Sequence, residues 1–191
     1  MKKESILIAV VALIVGFLGG YLIGTMGSAG RSMQEAPGIP AGAGSPTDYS
    51  RRIAEGEKIV ARDPRNLNAW ISLGNDYFDT EQSQKAINAY SKALEIEPSN
   101  ANVLTDQGVM YRKVGWYDKA IANFEKAQKI EPNHLQILYN MGIVYAMDLK
   151  QPDKAVAAWN QYLKSDPNSA TAIQIKGMLD KLGAGKKPAM K

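Results

Sequence analysis

Residues 67–100 read LNAWISLGNDYFDTEQSQKAINAYSKALEIEPSN, and the acidic-proline pair near their end, Glu97-Pro98, sets the period of the chain. The same kind of pair stands 34 residues earlier as Asp63-Pro64 and 34 later as Glu131-Pro132, and a fourth, Asp166-Pro167, follows after 35. Proline lacks the amide that a continuing helix needs and pushes the residue before it out of helical geometry, so each pair ends one helix and precedes the next. A self-similar period of this length marks supersecondary units that bury their apolar faces against their neighbours. The chain therefore reads as all-α, a stack of helix pairs of the kind that binds rather than catalyses.

Small residues recur at fixed places inside the period. Gly74, Gly108 and Gly142 fall on the first helix of each pair and Ala86, Ala120 and Ala155 on the second. A missing or minimal side chain lets the two helices approach closely, which offsets glycine's helix penalty of about 1 kcal/mol. Large residues at helical spacing from these positions supply the apolar stripe.

Trp70, Leu73, Gly74, Tyr77, Ala86, Tyr90, Ala93 and Pro98 occupy all eight signature positions of the tetratricopeptide repeat, which the chain resembles. The second repeat, 101–134, keeps Gly108, Tyr111, Ala120, Phe124, Ala127 and Pro132, with Leu104 and Gln107 where Trp and Leu are usual. The third, 135–169, has Leu138, Met141, Gly142, Tyr145, Ala155, Trp159 and Pro167, with Tyr162 at the second small position and ten residues instead of nine from Tyr145 to Ala155. We place that extra residue at the turn near Pro152. The resemblance implies a solenoid of three helical hairpins, capped by half-repeat helices at 48–62 and 170–182 that cover the terminal apolar faces. The domain then spans 48–182, and the basic GAGKKPAMK stretch at 183–191 is expected to be disordered.

At the start, Lys2 and Lys3 precede an uncharged run from Ser5 to Met26. A run above about 18 apolar residues suggests a membrane-spanning helix. A cleavable signal peptide is the alternative, because Gly27-Ser28-Ala29 is a small-residue cleavage site, yet the apolar part of a signal peptide usually runs to only about 7–15 residues. Lysines ahead of the span keep the N-terminus in the cytoplasm. The expectation is a single-pass protein of a bacterial inner membrane, with cytoplasmic start and anchor at 1–26, a flexible Gly/Ala/Pro/Ser linker at 27–47 and repeats in the periplasm. Ala12, Gly16, Gly20 and Gly24 lie four apart and form two overlapping GxxxG motifs, which make either a homodimer face or the ordinary glycine content of such spans.

Charge and composition exclude several functions. The net charge of +4 comes from the ends of the chain, since residues 48–182 hold 17 Lys and Arg against 17 Asp and Glu. Nucleic-acid recognition calls for basic residues clustered on a folded face, so no nucleic-acid partner is expected. The absence of cysteine removes disulfides, thiol catalysis, covalent haem attachment and lipoprotein acylation together. The single histidine, His134, cannot make a metal site alone. Asp76, Asp79 and Glu81 gather near one turn without a base, nucleophile or metal partner, as solvated helix ends do. No cofactor, metal or enzymatic activity is expected.

The resemblance also implies where a partner protein or peptide would bind, because the first helices of such repeats line a concave groove. Carried onto this chain, its positions are Asn68, Ile71, Ser72, Asn75 and Phe78; then Asn102, Thr105, Asp106, Val109 and Arg112; then Gln136, Tyr139, Asn140, Ile143 and Ala146. Carboxamides able to donate to and accept from a peptide backbone alternate there with apolar groups. Of the residues that clamp a chaperone's terminal carboxylate in the cytosolic members, Asn75 alone survives, with Ile71, Asp106, Gln136 and Asn140 at the other clamp positions. Trp116, in the turn of the second hairpin, is either an exposed contact point or a ring folded back on its own hairpin. Anchor, linker and repeats together resemble the accessory proteins of cytochrome c maturation and haem lyase complexes, which implies a segment of an apocytochrome as partner. The same layout serves scaffolds of secretion, pilus and cell-wall complexes.

Overall fold

A computed structural model describes residues 46–183. The anchor, the dimer face at Ala12, Gly16, Gly20 and Gly24, nearly all of the linker and the basic tail lie outside the described residues, and among those described no helix is long and apolar enough to cross a membrane. Among the described residues eight α-helices follow one another: α1 Pro46–Arg62, α2 Leu67–Asp79, α3 Ser83–Ile96, α4 Ala101–Lys113, α5 Tyr117–Ile130, α6 Leu135–Ile143, α7 Pro152–Ser165 and α8 Ala170–Lys181. Three hairpins, α2/α3, α4/α5 and α6/α7, are flanked by α1 and α8, and no strand occurs among the described residues.

The acidic-proline pairs work with the residues that follow them. Asn66, Asn100 and Ser169 sit just before α2, α4 and α8, and their side-chain oxygens accept from the amides of Ala69, Val103 and Ala172. Each such cap stabilises its helix by about 1 kcal/mol. His134 takes this place before α6 without a side-chain cap bond. Within each hairpin the chain reverses through one residue in the left-handed region, Glu81 at φ 58°, Gly115 at φ 80° and Lys150 at φ 56°. Glycine alone adopts that region without strain, so the first and third turns carry a small cost that the second does not.

Glycine and an aromatic ring lock the hairpins. A Cβ added to Gly74 would lie 2.5 Å from the Tyr90 ring and one on Gly108 2.5 Å from Phe124, while one on Gly142 would press still closer on Trp159 Nε1. All three rings are fully buried. The core forms two clusters, one from Val60 to Met110 and one from Ala101 to Leu179, that overlap in sequence at α4. There Gln107, 3% exposed, donates to Ile87 O and Ser91 Oγ and accepts from Asn123, so the polar residue at a usual leucine position is satisfied.

The extra residue of the third repeat does not sit at Pro152. It is absorbed upstream, where α6 widens into a π-helical turn at Val144–Asp148. Leu149 N donates to Val144 O at 2.9 Å, an i to i−5 bond, and Gln151 N reaches six residues back to Tyr145 O. In the first two hairpins the equivalent amides, Gln82 and Trp116, reach five residues back to Tyr77 and Tyr111. Widening one turn leaves Tyr145 and Ala155 buried in the register that the glycine-ring lock requires.

Candidate functional site

The first helices α2, α4 and α6 carry the groove residues, and polar contacts tie each to its neighbours. Asn102 Oδ1 lies 3.1 Å from His134 Nε2, Lys113 pairs with Glu81 at 3.3 Å, and Arg112 Nε donates to Asp148 Oδ2 at 2.5 Å. Asn68, Asn75, Asn102 and Gln136 are exposed, while Ile71, Phe78, Val109, Tyr139 and Ile143 are half-buried. That leaves carboxamides and apolar faces available along one row. Thr105 does not belong to it, since it is 2% exposed and its hydroxyl donates to Ala101 O. Ala146 is also buried. Arg112 is present but occupied by Asp148, and Asn140 is half-buried with its Nδ2 enclosed and unpaired.

Between the first two repeats the row opens into a hollow of about 250 Å³ lined by Asn75, Phe78, Asp79, Tyr90 and Asp106. Tyr90 comes from α3, behind the row, and its hydroxyl donates to Asn75 Oδ1 at 2.9 Å. Asp79 accepts from Tyr49 at 3.1 Å, which brings α1 to the same rim. Burial pushes Asp106 up to about 6; His134 opposes that shift and Asp79 adds to it. Burial, with Asp106 and Asp79 nearby, likewise drives the Tyr90 phenol upward. Asp79 is the exposed last residue of α2, the solvated helix end expected of it, whereas Asp76 departs from that expectation by being buried, and Tyr90 is not among the expected groove residues. Asp79, Lys113 and Asp148 each stand two residues before the left-handed residue of their turn.

The other carboxylates of the first turn are committed. Asp76 is buried and paired with Arg52 of α1, and Glu81 is paired with Lys113. Trp116 combines both readings offered for it: its ring packs on Tyr111 with centroids 5.8 Å apart, it remains 41% exposed, and Lys119 Nζ lies 4.2 Å from its centroid. At the C-terminal end a second hollow of about 220 Å³ is lined by Leu135, Gln136, Tyr139, Tyr162, Thr171 and Gln174.

Four family models described as tetratricopeptide or TPR repeats match residues 67–100, 89–122, 108–148 and 136–169. Together they run through all three hairpins. No curated protein matches the chain. Among solved structures, MamA is similar at 22% identity and a TM-score of 0.67, over 72% of this chain and 80% of that one. TTC0263, a thermophilic TPR protein of Thermus thermophilus, follows at 19% identity and a TM-score of 0.59, over 72% and 74% of the two chains. The TPR domain of Arabidopsis OM64 matches at 21% identity and a TM-score of 0.57, over 60% of this chain and 94% of that domain. Likeness at this identity shows the fold.

Proposed function

Because the chain belongs to the tetratricopeptide repeat family, whose fold suggests a protein-interaction adaptor or scaffold, we propose that its concave row binds an extended or helical segment of a partner protein. The observation that carries this is the row itself, in which exposed Asn68, Asn75, Asn102 and Gln136 alternate with half-buried Ile71, Phe78, Val109, Tyr139 and Ile143. Carboxamides hold a peptide main chain and the apolar faces take its side chains, as in other modes of segment recognition. The work of the protein is holding a partner, with no catalysis and no cofactor. We further propose that the segment at 5–26 anchors it in a bacterial inner membrane with the repeats in the periplasm, and that it serves an envelope assembly pathway such as cytochrome c biogenesis. The uncharged run behind Lys2 and Lys3 supports the anchor.

Crosslinking pull-down from membranes, run with Phe78→Ala and Val109→Ala in parallel, tests the groove. Loss of the main partner in both variants is the expected result, and retention in both overturns the reading. A scaffold role through the edge of the stack is the second reading, supported by the exposed ring of Trp116. It predicts partner loss in Trp116→Ala instead.

A further inference from the structure

We propose that the hollow between the first and second repeats receives a lysine or arginine side chain of the bound segment. This rests on the groove reading above and names the chemistry of its partner. At about 250 Å³ the hollow lies below the roughly 300–1,000 Å³ of small-molecule sites, so it suits a single side chain.

Charge complementarity identifies that side chain. Asp79 and Asp106 both line the hollow, and no ion pair among the described residues includes either of them. Three basic side chains near the hollow are already committed, Arg52 to Asp76, Arg112 to Asp148 and Lys113 to Glu81, and His134, whose charge acts on Asp106, has its Nε2 on Asn102 Oδ1. The Tyr90 hydroxyl is spent on Asn75, so it gives Asp106 no donor. Asp106 is therefore a half-buried carboxylate with no hydrogen-bond donor among the described residues, and such a group gains most from an incoming cation. Phe78 adds a ring wall for the methylenes and the charge of a long basic side chain; Lys113 Nζ already stands 5.8 Å from its centroid. The hollow is thus the inverse of a carboxylate clamp, acidic where a clamp is basic.

The test uses the full-length protein in detergent and a phage-displayed library of random dodecapeptides. One enriched peptide is then synthesised with its basic residue kept or replaced by glutamine, and measured against the parent, Asp79→Asn/Asp106→Asn and Phe78→Ala. We expect lysine or arginine enriched at one position, and binding weakened about tenfold or more by glutamine. The double variant should lose the same factor against the basic peptide and none against the glutamine peptide, as a double-mutant cycle requires of a direct pair. Circular dichroism melts confirm that the asparagine variants fold. Peptides that need Phe78 yet show no basic preference overturn the pocket and leave the groove standing. Binding indifferent to Phe78 and to both aspartates, or no enriched peptide at all, overturns the groove and the pocket together.

Discussion

At the junction of α4 with α6, Asp148 meets Arg112 across the repeats at 2.5 Å; at the junction of α2 with α4, Asp79, also two residues before the left-handed turn residue, meets no cation among the described residues, and Asp106 stands beside it. One junction has closed its charges internally and the other has left two carboxylates facing a hollow. The closed junction coincides with a distortion, since Asp148 is the last residue of the π-helical turn at Val144–Asp148. The open junction keeps regular helix; Lys113 pairs with Glu81 there, while Asp79 and Asp106 meet no cation among the described residues. Within a repeat protein, the same position can thus serve the stack in one place and remain available to a partner in another.

The largest effect is expected from disturbing the hairpin that carries the closed junction. Gly142→Ala drives a Cβ onto Trp159 Nε1, in a buried ring that donates to Tyr139 O. Urea unfolding should show a loss of about 3 kcal/mol, the upper part of the usual overpacking range. A loss below ~1 kcal/mol would mean that the ring can move and that the lock is loose.

Next in size is the open junction itself. Asp106 is shifted up to about 6 in the folded chain from an ordinary value of 3.8. The folded state therefore holds this proton more tightly than the unfolded state, and the stability it contributes is full below pH 3.8 and lost as pH rises through about 6. Asp106→Asn should raise stability at pH 7 by on the order of 2 kcal/mol and leave it nearly unchanged at pH 4. Asp76, also shifted upward by burial, is untouched by this change, so some of the same pH slope remains. Thermal melts of both proteins from pH 4 to pH 7.5 read the difference, and parallel curves would show that Asp106 is not the strained group.

Opening the closed junction should cost less. Asp148→Ala frees an Arg112 side chain that is 39% exposed, so the loss should be about 1 kcal/mol by urea unfolding. Smallest is Trp116→Ala, where a ring 41% exposed packs on Tyr111 beside Lys119, and a change below ~1 kcal/mol is expected. A larger loss would make Trp116 a structural residue and remove the edge surface.

Much of the fold was legible because its signals are local and repeated. Proline cannot sit inside a helix without breaking it, so the four acidic-proline pairs mark boundaries, and Gly74, Gly108 and Gly142 announce a close helix contact whatever the partner ring, so the three hairpins follow from spacing. The position of the extra residue did not follow. The interval from Tyr145 to Ala155 shows that one residue is added, yet helix widening and turn lengthening produce the same count. The groove was legible as a row and not as a surface. Thr105 is covered by its neighbours, its hydroxyl bonded back to Ala101 O in its own helix, and Tyr90 reaches the hollow from the helix behind, because which part of a helix surface a neighbour covers is not encoded in the repeat register. Which carboxylates find a cation was hidden for the same reason, since Arg112 and Asp148 stand 36 residues apart.

The proposed function puts partners on the concave row rather than on the outer helices. Photo-crosslinking in intact membranes tests it directly, with benzoylphenylalanine placed at Phe78 in one protein and at Ile130, exposed on α5, in another. A partner seated in the groove should be crosslinked from position 78 and not from position 130. A partner captured from 130 and absent from 78 would contradict that placement.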